Sequence, residues 1–307
     1  MAALLYNRTT RTANSDALLP NYNQHRPPPA APAEIPRRFV DGCGKDALRR
    51  WEATKAWRTA ERIDQILSEP QPHFHAIKEL SCHYNAGYGR NGNVVFWERP
   101  AAARFEEMAA RGITTEHLVR HWLFVTEYQW AIVCKGDETA KSIAVYDLKG
   151  VGMWDLTGRI WDYTQKTITI ANMHYPERSY AVIVINAPYF TSYFWKMIKP
   201  YVHANTQDKV QILSEEETLE GLQKHIDISQ IPVYYGGNLD FGGKDSCRTN
   251  SPEQRAMNAY VDKLNTGTGS NHNSSICATS GVEQNRKPWK QRPPLKKRVV
   301  DVSSTSH

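Results

Sequence analysis

Two polar stretches flank the middle of the segment from Met173 to Leu213 and carry groups suited to ligand binding. The first is HYPER (174–178) and the second is ANTQDK (204–209). Together they offer carboxylate, guanidinium, ammonium and hydroxyl groups, which can hold a phosphate and a hydroxylated neighbour. A buried strand and an aromatic segment are predicted between them. This order is typical of a protein that encloses a lipid.

Signatures of common enzyme classes are missing from the sequence, which contains no GxSxG, HExxH or GxGxxG pattern. GNLDFGGKD (237–245) resembles a phosphate-binding loop, but Asp245 stands where a hydroxyl should bind Mg²⁺. His73 and His75 follow a proline and indicate a surface turn rather than a metal site. Because no nucleophile and base are recognisably paired, we predict a protein that is not an enzyme and has no cofactor.

The segment 189–202 is too aromatic for an ordinary surface helix. Nine of its fourteen residues are apolar or aromatic, and in a helix they would cover most of the circumference. Such a helix is either a core helix packed on the sheet or a lid over an acyl-chain cavity. Lys196 and Lys199 favour the lid, because both can extend toward anionic headgroups. The predicted lid and pocket residues are Tyr189, Phe190, Tyr193, Phe194, Trp195, Met197 and Ile198.

Hydrophobic periodicity predicts the elements that position these groups. Helices are expected over 45–69, 115–133, 154–172 and 215–227, and strands over 94–98, 142–148, 180–187 and 210–213. Thr114 or Thr115 is expected to cap the second helix, and Asp147 the turn after its strand. Strands alternating with helices predict an α/β fold with a mainly parallel sheet, right-handed crossover helices and an N-terminal helical lead-in.

Five short motifs in one order resemble the CRAL-TRIO lipid-binding family, in particular its phosphatidylinositol-transfer branch. They are YDLKG (146–150), HYPER (174–178), VINAP (184–188), ANTQDKVQIL (204–213) and IPVYYGGNL (231–239). GRNGNVVFWE (89–98) is similar to the first strand of the family. The resemblance covers about 140–244 well and implies a CRAL-TRIO-like fold with an apolar cavity under the lid helix.

The resemblance also implies which residues bind a phosphoinositide headgroup: Lys55, Glu177, Arg178, Thr206 and Lys209. In this assignment the lysines neutralise the phosphodiester, Thr206 donates to its oxygens and Glu177 accepts from inositol hydroxyls. Each also has an ordinary structural interpretation. Glu177 and Arg178 would then form a loop ion pair, Thr206 would be a helix cap, and Lys55 and Lys209 would be surface lysines.

A second lipid ligand is left open by the sequence. Ser142 matches a family position that contacts choline lipids, but Ala144 stands where a threonine is expected. The ligand expected is therefore phosphatidylinositol, with the second lipid undetermined.

Composition indicates how the chain is divided. Residues 1–43 and 245–307 are poor in periodic apolar positions and are expected to be disordered tails around a lipid-binding domain at 44–244. The net charge of +6 is explained by 286–298, which holds seven basic residues and no acidic one. A nucleic-acid-binding groove is therefore not expected.

Location and assembly are predicted from the same composition. Five widely spaced cysteines, no stretch of 18 apolar residues and no signal peptide in MAALLYNRTT predict a cytoplasmic protein. We expect a monomer that contacts membranes peripherally and transfers or presents phosphatidylinositol. The alternative is a non-transferring lipid sensor or adaptor, which the basic tail would help to attach to a membrane.

Overall fold

A five-stranded sheet forms the centre of the protein. The structure, a computed structural model, describes residues 34–153, 157–242 and 250–267. The strands lie side by side in chain order: β1 (Cys82–Tyr88), β2 (Val94–Arg99), β3 (Ser142–Asp147), β4 (Ser179–Ile185) and β5 (Val210–Ile212). β1 is antiparallel to β2, whereas the pairs from β2 to β5 are parallel. The predicted α/β class with a mainly parallel sheet is confirmed.

Helices precede the sheet, connect its strands and follow it. They are α1 (Arg37–Cys43), α2 (Ala47–Ala60), α3 (Phe74–Leu80), α4 (Phe105–Ala110), α5 (Thr115–Tyr128), α6 (Gly158–His174), α7 (Thr191–Ile198), α8 (Ala204–Gln207), α9 (Thr218–Gln223) and α10 (Pro252–Gly267). The Thr114 side chain accepts a hydrogen bond from the amide of His117, so the predicted cap of α5 is confirmed. No described helix is long and apolar enough to cross a membrane.

Side chains alternate between the two faces of the sheet, and the faces differ in character. Ile143, Val145 and Ile183 are fully buried and pack with Leu222 of α9 and Tyr235 on one face. On the opposite face of β3 lie Ser142, Ala144 and Tyr146, which are only partly buried. The sheet therefore has one dry core face and one face with space beside it.

Several elements escape sequence patterning. β1 (CHYNAGY) was missed because polar residues and a glycine interrupt its apolar positions, although Asn85 is buried. It forms a hairpin with β2 across a turn at 89–93, where the Gly89 amide donates to the Asn93 carbonyl at 2.8 Å. α3 and α4 were also missed, and the helix predicted over 45–69 ends earlier, at Ala60.

The predicted domain boundaries at 44 and 244 are too narrow. Phe39 of α1 is completely buried, with its ring centroid 5.2 Å from that of Trp51. Met257 and Val261 of α10 are buried in the same cluster as Phe124 of α5. These apolar positions are few and spaced for a helix, so overall composition conceals them. The rest of the two predicted tails, residues 1–33, 245–249 and 268–307 with the basic segment 286–298, lies outside the described residues.

Candidate headgroup site at the edge of the sheet

Glu177 occupies the connection between α6 and β4 with an unusual backbone. Its φ is +57°, in the left-handed region that non-glycine residues seldom adopt. Gly42 of α1 packs against this connection, and a Cβ added at Gly42 would lie only 3.1 Å from Glu177 Cγ. A left-handed backbone at a residue other than glycine costs free energy and is a common feature of binding sites.

Three side chains donate hydrogen bonds to the Glu177 carboxylate. Lys209 Nζ lies 3.1 Å from one oxygen and Lys141 Nζ lies 3.3 Å from the same oxygen. Asn205 Nδ2 donates to the other oxygen at 3.1 Å. We call Glu177, Lys141, Lys209 and Asn205 the Glu177 cluster. It combines two ammonium groups with one carboxylate, which leaves one positive charge in excess.

Sheet topology brings the cluster together. Lys141 immediately precedes β3, Glu177 lies just before β4 and Lys209 immediately precedes β5. Because β3, β4 and β5 are parallel neighbours, their first residues lie along one edge of the sheet. Groups far apart in sequence therefore converge at that edge.

The electrostatics of the cluster favour an ionised Glu177. Burial alone would raise the pKa of this carboxyl, but the hydrogen bonds from Asn205 and Lys209 and the nearby positive charge outweigh burial. The pKa of Glu177 consequently lies below its ordinary value. An ionised carboxylate beside two ammonium groups can accept from hydroxyls while the lysines bind a phosphate.

Thr206 belongs to the same region through its backbone. It follows Asn205 in α8, and the Lys209 amide donates to the Thr206 carbonyl at 3.0 Å. The N-cap of α8 is His203, whose Nδ1 accepts from the Asn205 amide and whose own amide donates to Asn172 Oδ1 of α6. The turn after the lid is thus anchored beside the Glu177 cluster, as the assignment of Thr206 and Lys209 requires.

The side chains of Lys55 and Arg178, which the family resemblance assigned to the headgroup site, make no hydrogen-bonding contact with the Glu177 carboxylate in the structure. Lys55 Nζ pairs with Glu52 at 2.9 Å and lies 5.8 Å from the centre of the Trp51 ring. Arg178 is buried and donates from Nη1 to the carbonyls of Asp137 and Ala140 at 2.8 and 3.0 Å. Its guanidinium stacks 4.4 Å from the centre of the Trp130 ring.

Because Arg178 Nη1 is bonded to these carbonyls, the structure shows no ion pair between Arg178 and Glu177, and the assignment of Arg178 to the headgroup stays a prediction. Arg178 is adjacent to Glu177 in sequence, but its guanidinium orders the loop 137–140 that leads into Lys141. Burial also lowers the pKa of Arg178 from its ordinary value. Asp147, predicted to be structural, is fully buried and accepts from the Lys149 amide at 2.9 Å and from Asn186 Nδ2 at 2.7 Å.

The predicted lid is a helix with one buried side. Phe194 is 6% exposed, whereas Tyr189 is 90% and Tyr193 61% exposed. Met197 is also exposed, and Phe190, Trp195 and Ile198 are partly buried. A helix enclosed in the core would not leave so much aromatic surface in solvent. α7 is therefore not enclosed on all sides, and its role as a lid stays a prediction.

A cavity of about 160 Å³ lies on the partly buried face of the sheet. Its walls come from β1, β2, β3, the start of β4, α5 and α6, and they include Phe96, Ser142, Ala144 and Tyr163. No residue of α7 lines it. This cavity lies beneath α5 and α6 and contains polar groups, so it is distinct from the predicted apolar cavity under α7, which stays a prediction.

Lys141 and Asn205 are the members of the cluster that sequence reasoning missed. Asn205 lies within the motif ANTQDKVQIL but was not assigned to the headgroup, and Lys141 lies outside the motifs. The available signal for Lys141 was topological, because residues that directly precede neighbouring parallel strands share one edge of the sheet. Within the described residues, no group of three or more His, Cys, Asp or Glu side chains is suited to a metal ion.

Comparison with known proteins agrees with this architecture. A phosphatidylinositol/phosphatidylcholine transfer protein, SFH7 of Arabidopsis thaliana, is 23% identical over 209 residues, covering 66% of this chain and 38% of that protein. The SEC14 cytosolic factor of Eremothecium gossypii is 24% identical over 205 residues, covering 63% of this chain and 64% of that protein. The chain thus spans less than two thirds of the length of either relative.

The crystal structure of Sfh5 has the same fold, with a TM-score of 0.50 at 18% identity over 61% of this chain and 66% of that chain. A model of the CRAL/TRIO domain matches residues 78–237, just over half of the chain. That match spans β1 to β5, the lid and the whole Glu177 cluster. The chain therefore belongs to the CRAL/TRIO domain family.

Proposed function

We propose that this protein binds a phosphatidylinositol-type phospholipid and transfers or presents it between membranes. The observation that carries the proposal is the meeting of Glu177, Lys141 and Lys209 beside the segment that follows the lid. Relatives named for phosphatidylinositol/phosphatidylcholine transfer support the same conclusion. The headgroup would occupy the Glu177 cluster and the acyl chains would lie beneath α7.

The chemistry of the cluster suits an inositol phosphate diester. Lys141 and Lys209 supply two ammonium groups for the phosphate, and Thr206 supplies a hydroxyl close by. Glu177 accepts hydrogen bonds, which inositol hydroxyls can donate and a choline headgroup cannot. Glu177 exchanges its lysine contacts for hydroxyl contacts when the phosphate binds, so the carboxylate is never left buried without a partner.

Lid movement is part of the proposal because the described cavity is small. Its volume of about 160 Å³ is below the roughly 300–1,000 Å³ of typical small-molecule pockets, and a two-chain phospholipid is larger still. The partly buried Val182 and Val184 on β4 and the exposed Ile212 on β5 lie on the same face of the sheet as Ala144 and Tyr146. Displacing α7 would give acyl chains an apolar floor to cover.

The exposed aromatic side of α7 gives the lid a reason to open at a membrane. Tyr189 and Tyr193 are unfavourably hydrated in water and become covered when they enter a bilayer interface. Acyl chains gain about 0.8 kcal/mol per buried CH₂, so an enclosed pocket is needed to carry them through water. We propose that the protein acts as a cytoplasmic monomer, contacts membranes transiently and performs no covalent chemistry.

Lipid extraction and a vesicle transfer assay test this function. Protein purified from a eukaryotic host is extracted for mass spectrometry of bound lipid, and movement of labelled phosphatidylinositol between vesicles is followed for wild type and Lys209→Ala. The expected result is bound phosphatidylinositol, with transfer by wild type at least about tenfold faster than by the variant. Binding without transfer would instead indicate a lipid sensor or adaptor, and absence of bound lipid would contradict both functions.

A further inference from the structure

A graded row of side chains crosses the cavity face of the sheet. His83, Glu98, Tyr146, Val184 and Ile212 are successive cross-strand partners from β1 to β5. Partners in register have side chains on the same face, so the row begins with ionisable groups and ends with aliphatic ones. His83, Glu98 and Tyr146 line the cavity, whereas Ile212 lies on β5, the outermost strand on the other side of the sheet. The row has the polarity of an amphiphilic ligand.

Polar groups at the ionisable end of the row have no protein partner. The Glu98 carboxyl and the phenol groups of Tyr146 and Tyr163 form no hydrogen bond within the part of the chain that the structure describes. Burial raises the pKa of Glu98 to about 7 and that of Tyr146 above 10. Polar groups without partners in an enclosed space are costly unless a ligand or water satisfies them.

The ionisable neighbours of Glu98 are committed to other contacts. Lys78 of α3 donates to the His83 carbonyl at 2.7 Å and to Gln254 Oε1 of α10 at 3.0 Å. His83 Nε2 and His121 Nε2 of α5 are hydrogen-bonded at 2.9 Å, and burial lowers the pKa of both imidazoles. Burial also lowers the pKa of Lys78 to about 7. Arg178 also lines the cavity, but its guanidinium donates to the carbonyls of the loop 137–140. The charge of Lys78 lowers the pKa of Glu98, yet within the described residues neither cation forms a hydrogen bond with the Glu98 carboxyl.

We propose that Glu98 binds the primary ammonium group of an amphiphile whose apolar part extends along Val184 and Ile212. A primary ammonium has three N–H donors, and the oxygens of Glu98, Tyr146 and Tyr163 offer three acceptors. The rings of Phe96 and Trp122 also line the cavity and favour a cation over an anion. A phosphate or carboxylate head would be repelled by Glu98, and an alcohol would supply only one donor.

This site is separate from the proposed headgroup site. Glu98 is the penultimate residue of β2, whereas the Glu177 cluster lies where β3, β4 and β5 begin. β2 is parallel to β3, so the two sites are at opposite ends of these strands. The inference therefore goes beyond the proposed function, because the two polar heads lie at different places, although the apolar parts of both ligands would lie along Val184 and Ile212.

Calorimetric titration with three single-chain probes of equal length tests the inference. Octylamine, octanol and octanoate are titrated into the full chain at about pH 8, where the pKa of Glu98 leaves its carboxyl mostly ionised. Octylamine is expected to bind at least about tenfold more tightly than octanol, and octanoate most weakly. Glu98→Gln should abolish the preference for the amine and leave octanol binding unchanged. Equal affinities of the three probes for wild type would overturn the inference.

Two further measurements guard against a variant that fails to fold and against binding elsewhere. In wild type, the ratio of octylamine to octanol affinity should rise about tenfold between about pH 6 and about pH 8, as Glu98 ionises; a constant ratio would refute the role of Glu98. Glu177→Gln removes the only carboxylate of the Glu177 cluster and should leave octylamine binding unchanged. Loss of octylamine binding in Glu177→Gln would place the amine in the headgroup site and reject a second site.

Discussion

The guanidinium of Arg58 and the carboxylate of Glu127 face each other in two parallel hydrogen bonds of 2.8 and 3.1 Å. This pair joins α2 to α5, and the two side chains are only 22% and 12% exposed. The Tyr175 hydroxyl donates to the same carboxylate, and Asp64 accepts a further bond from Arg58 Nε at 2.8 Å. The N-terminal helical lead-in is therefore fastened to the domain close to the connection that carries Glu177.

Glu127→Ala should destabilise the protein by about 2–3 kcal/mol, because it leaves a largely buried guanidinium without its main counter-ion. The free energy of unfolding in urea at neutral pH measures this loss. Lys55→Ala is the matched control on the same helix, since its pair with Glu52 is exposed and should contribute less than about 0.5 kcal/mol. A loss below about 1 kcal/mol for Glu127→Ala would mean that the pair does not hold α2 in place.

Lys141→Ala should weaken phosphatidylinositol binding about as much as Lys209→Ala does, by roughly tenfold, because both ammonium groups contact the same carboxylate and would share the phosphate. Binding to vesicle-supplied lipid is compared for the single variants and the double variant. Lys55→Ala should bind normally, since Lys55 pairs with Glu52. Normal binding by Lys141→Ala together with weak binding by Lys55→Ala would restore the family-based assignment of Lys55.

Stability should fall between about pH 6.5 and about pH 4 because of His174. Its ring stacks on Trp57 with centroids 3.9 Å apart, and its Nδ1 lies 3.0 Å from the Thr54 hydroxyl. Burial and the charges of Arg50 and Arg58 lower the pKa of His174 to about 4. Because an unfolded histidine titrates near 6.5, the unfolded chain binds the proton first as the pH falls.

The contribution of His174 is thus fully present above about pH 6.5 and is lost toward about pH 4, by up to about 3 kcal/mol. The free energy of unfolding measured at about pH 7 and about pH 5 should decline about 2 kcal/mol less in His174→Gln than in wild type. His83 and His121 are present in both proteins, so their effects cancel in the comparison. Identical declines would show that His174 is not held neutral.

Tyr193→Ser should change stability by less than about 0.5 kcal/mol, because this side chain is 61% exposed. It should nevertheless slow lipid transfer, since an aromatic ring that would enter the bilayer interface is removed. Phe194→Ala, at the adjacent buried position, should instead cost about 3 kcal/mol. A Tyr193→Ser variant that transfers lipid at the wild-type rate would contradict membrane contact through α7.

Removal of α10 should destabilise the domain although the helix lies beyond the family match. Val261 is fully buried, and the Gln71 amide donates to Asn265 Oδ1 at 2.7 Å. A chain ending at residue 244 should unfold at a clearly lower urea concentration than one ending at residue 267, because it exposes the apolar surface that α10 covers. Equal urea midpoints would show that α10 contributes nothing to the core.

Local sequence patterns determined much of the fold. The apolar run at 180–187 predicted β4, because a strand covered on both faces carries apolar residues at nearly every position. The density of aromatic residues predicted that 189–202 is not an ordinary surface helix. The family motifs assigned Glu177 and Lys209 to one site. β1 and α10 escaped prediction because their buried positions are few and separated by polar residues.

What only the tertiary structure decided is which side chains meet. Lys55 and Lys141 are both lysines in polar surroundings, and nothing in their local sequence distinguishes them. The order β3, β4, β5 places Lys141 beside Glu177, whereas the helical position of Lys55 pairs it with Glu52. Arg178 is next to Glu177 in sequence, yet its guanidinium donates hydrogen bonds to the carbonyls of the loop 137–140. Periodicity reports how each segment buries its own apolar side, but long-range polar contacts depend on how the segments are arranged in space.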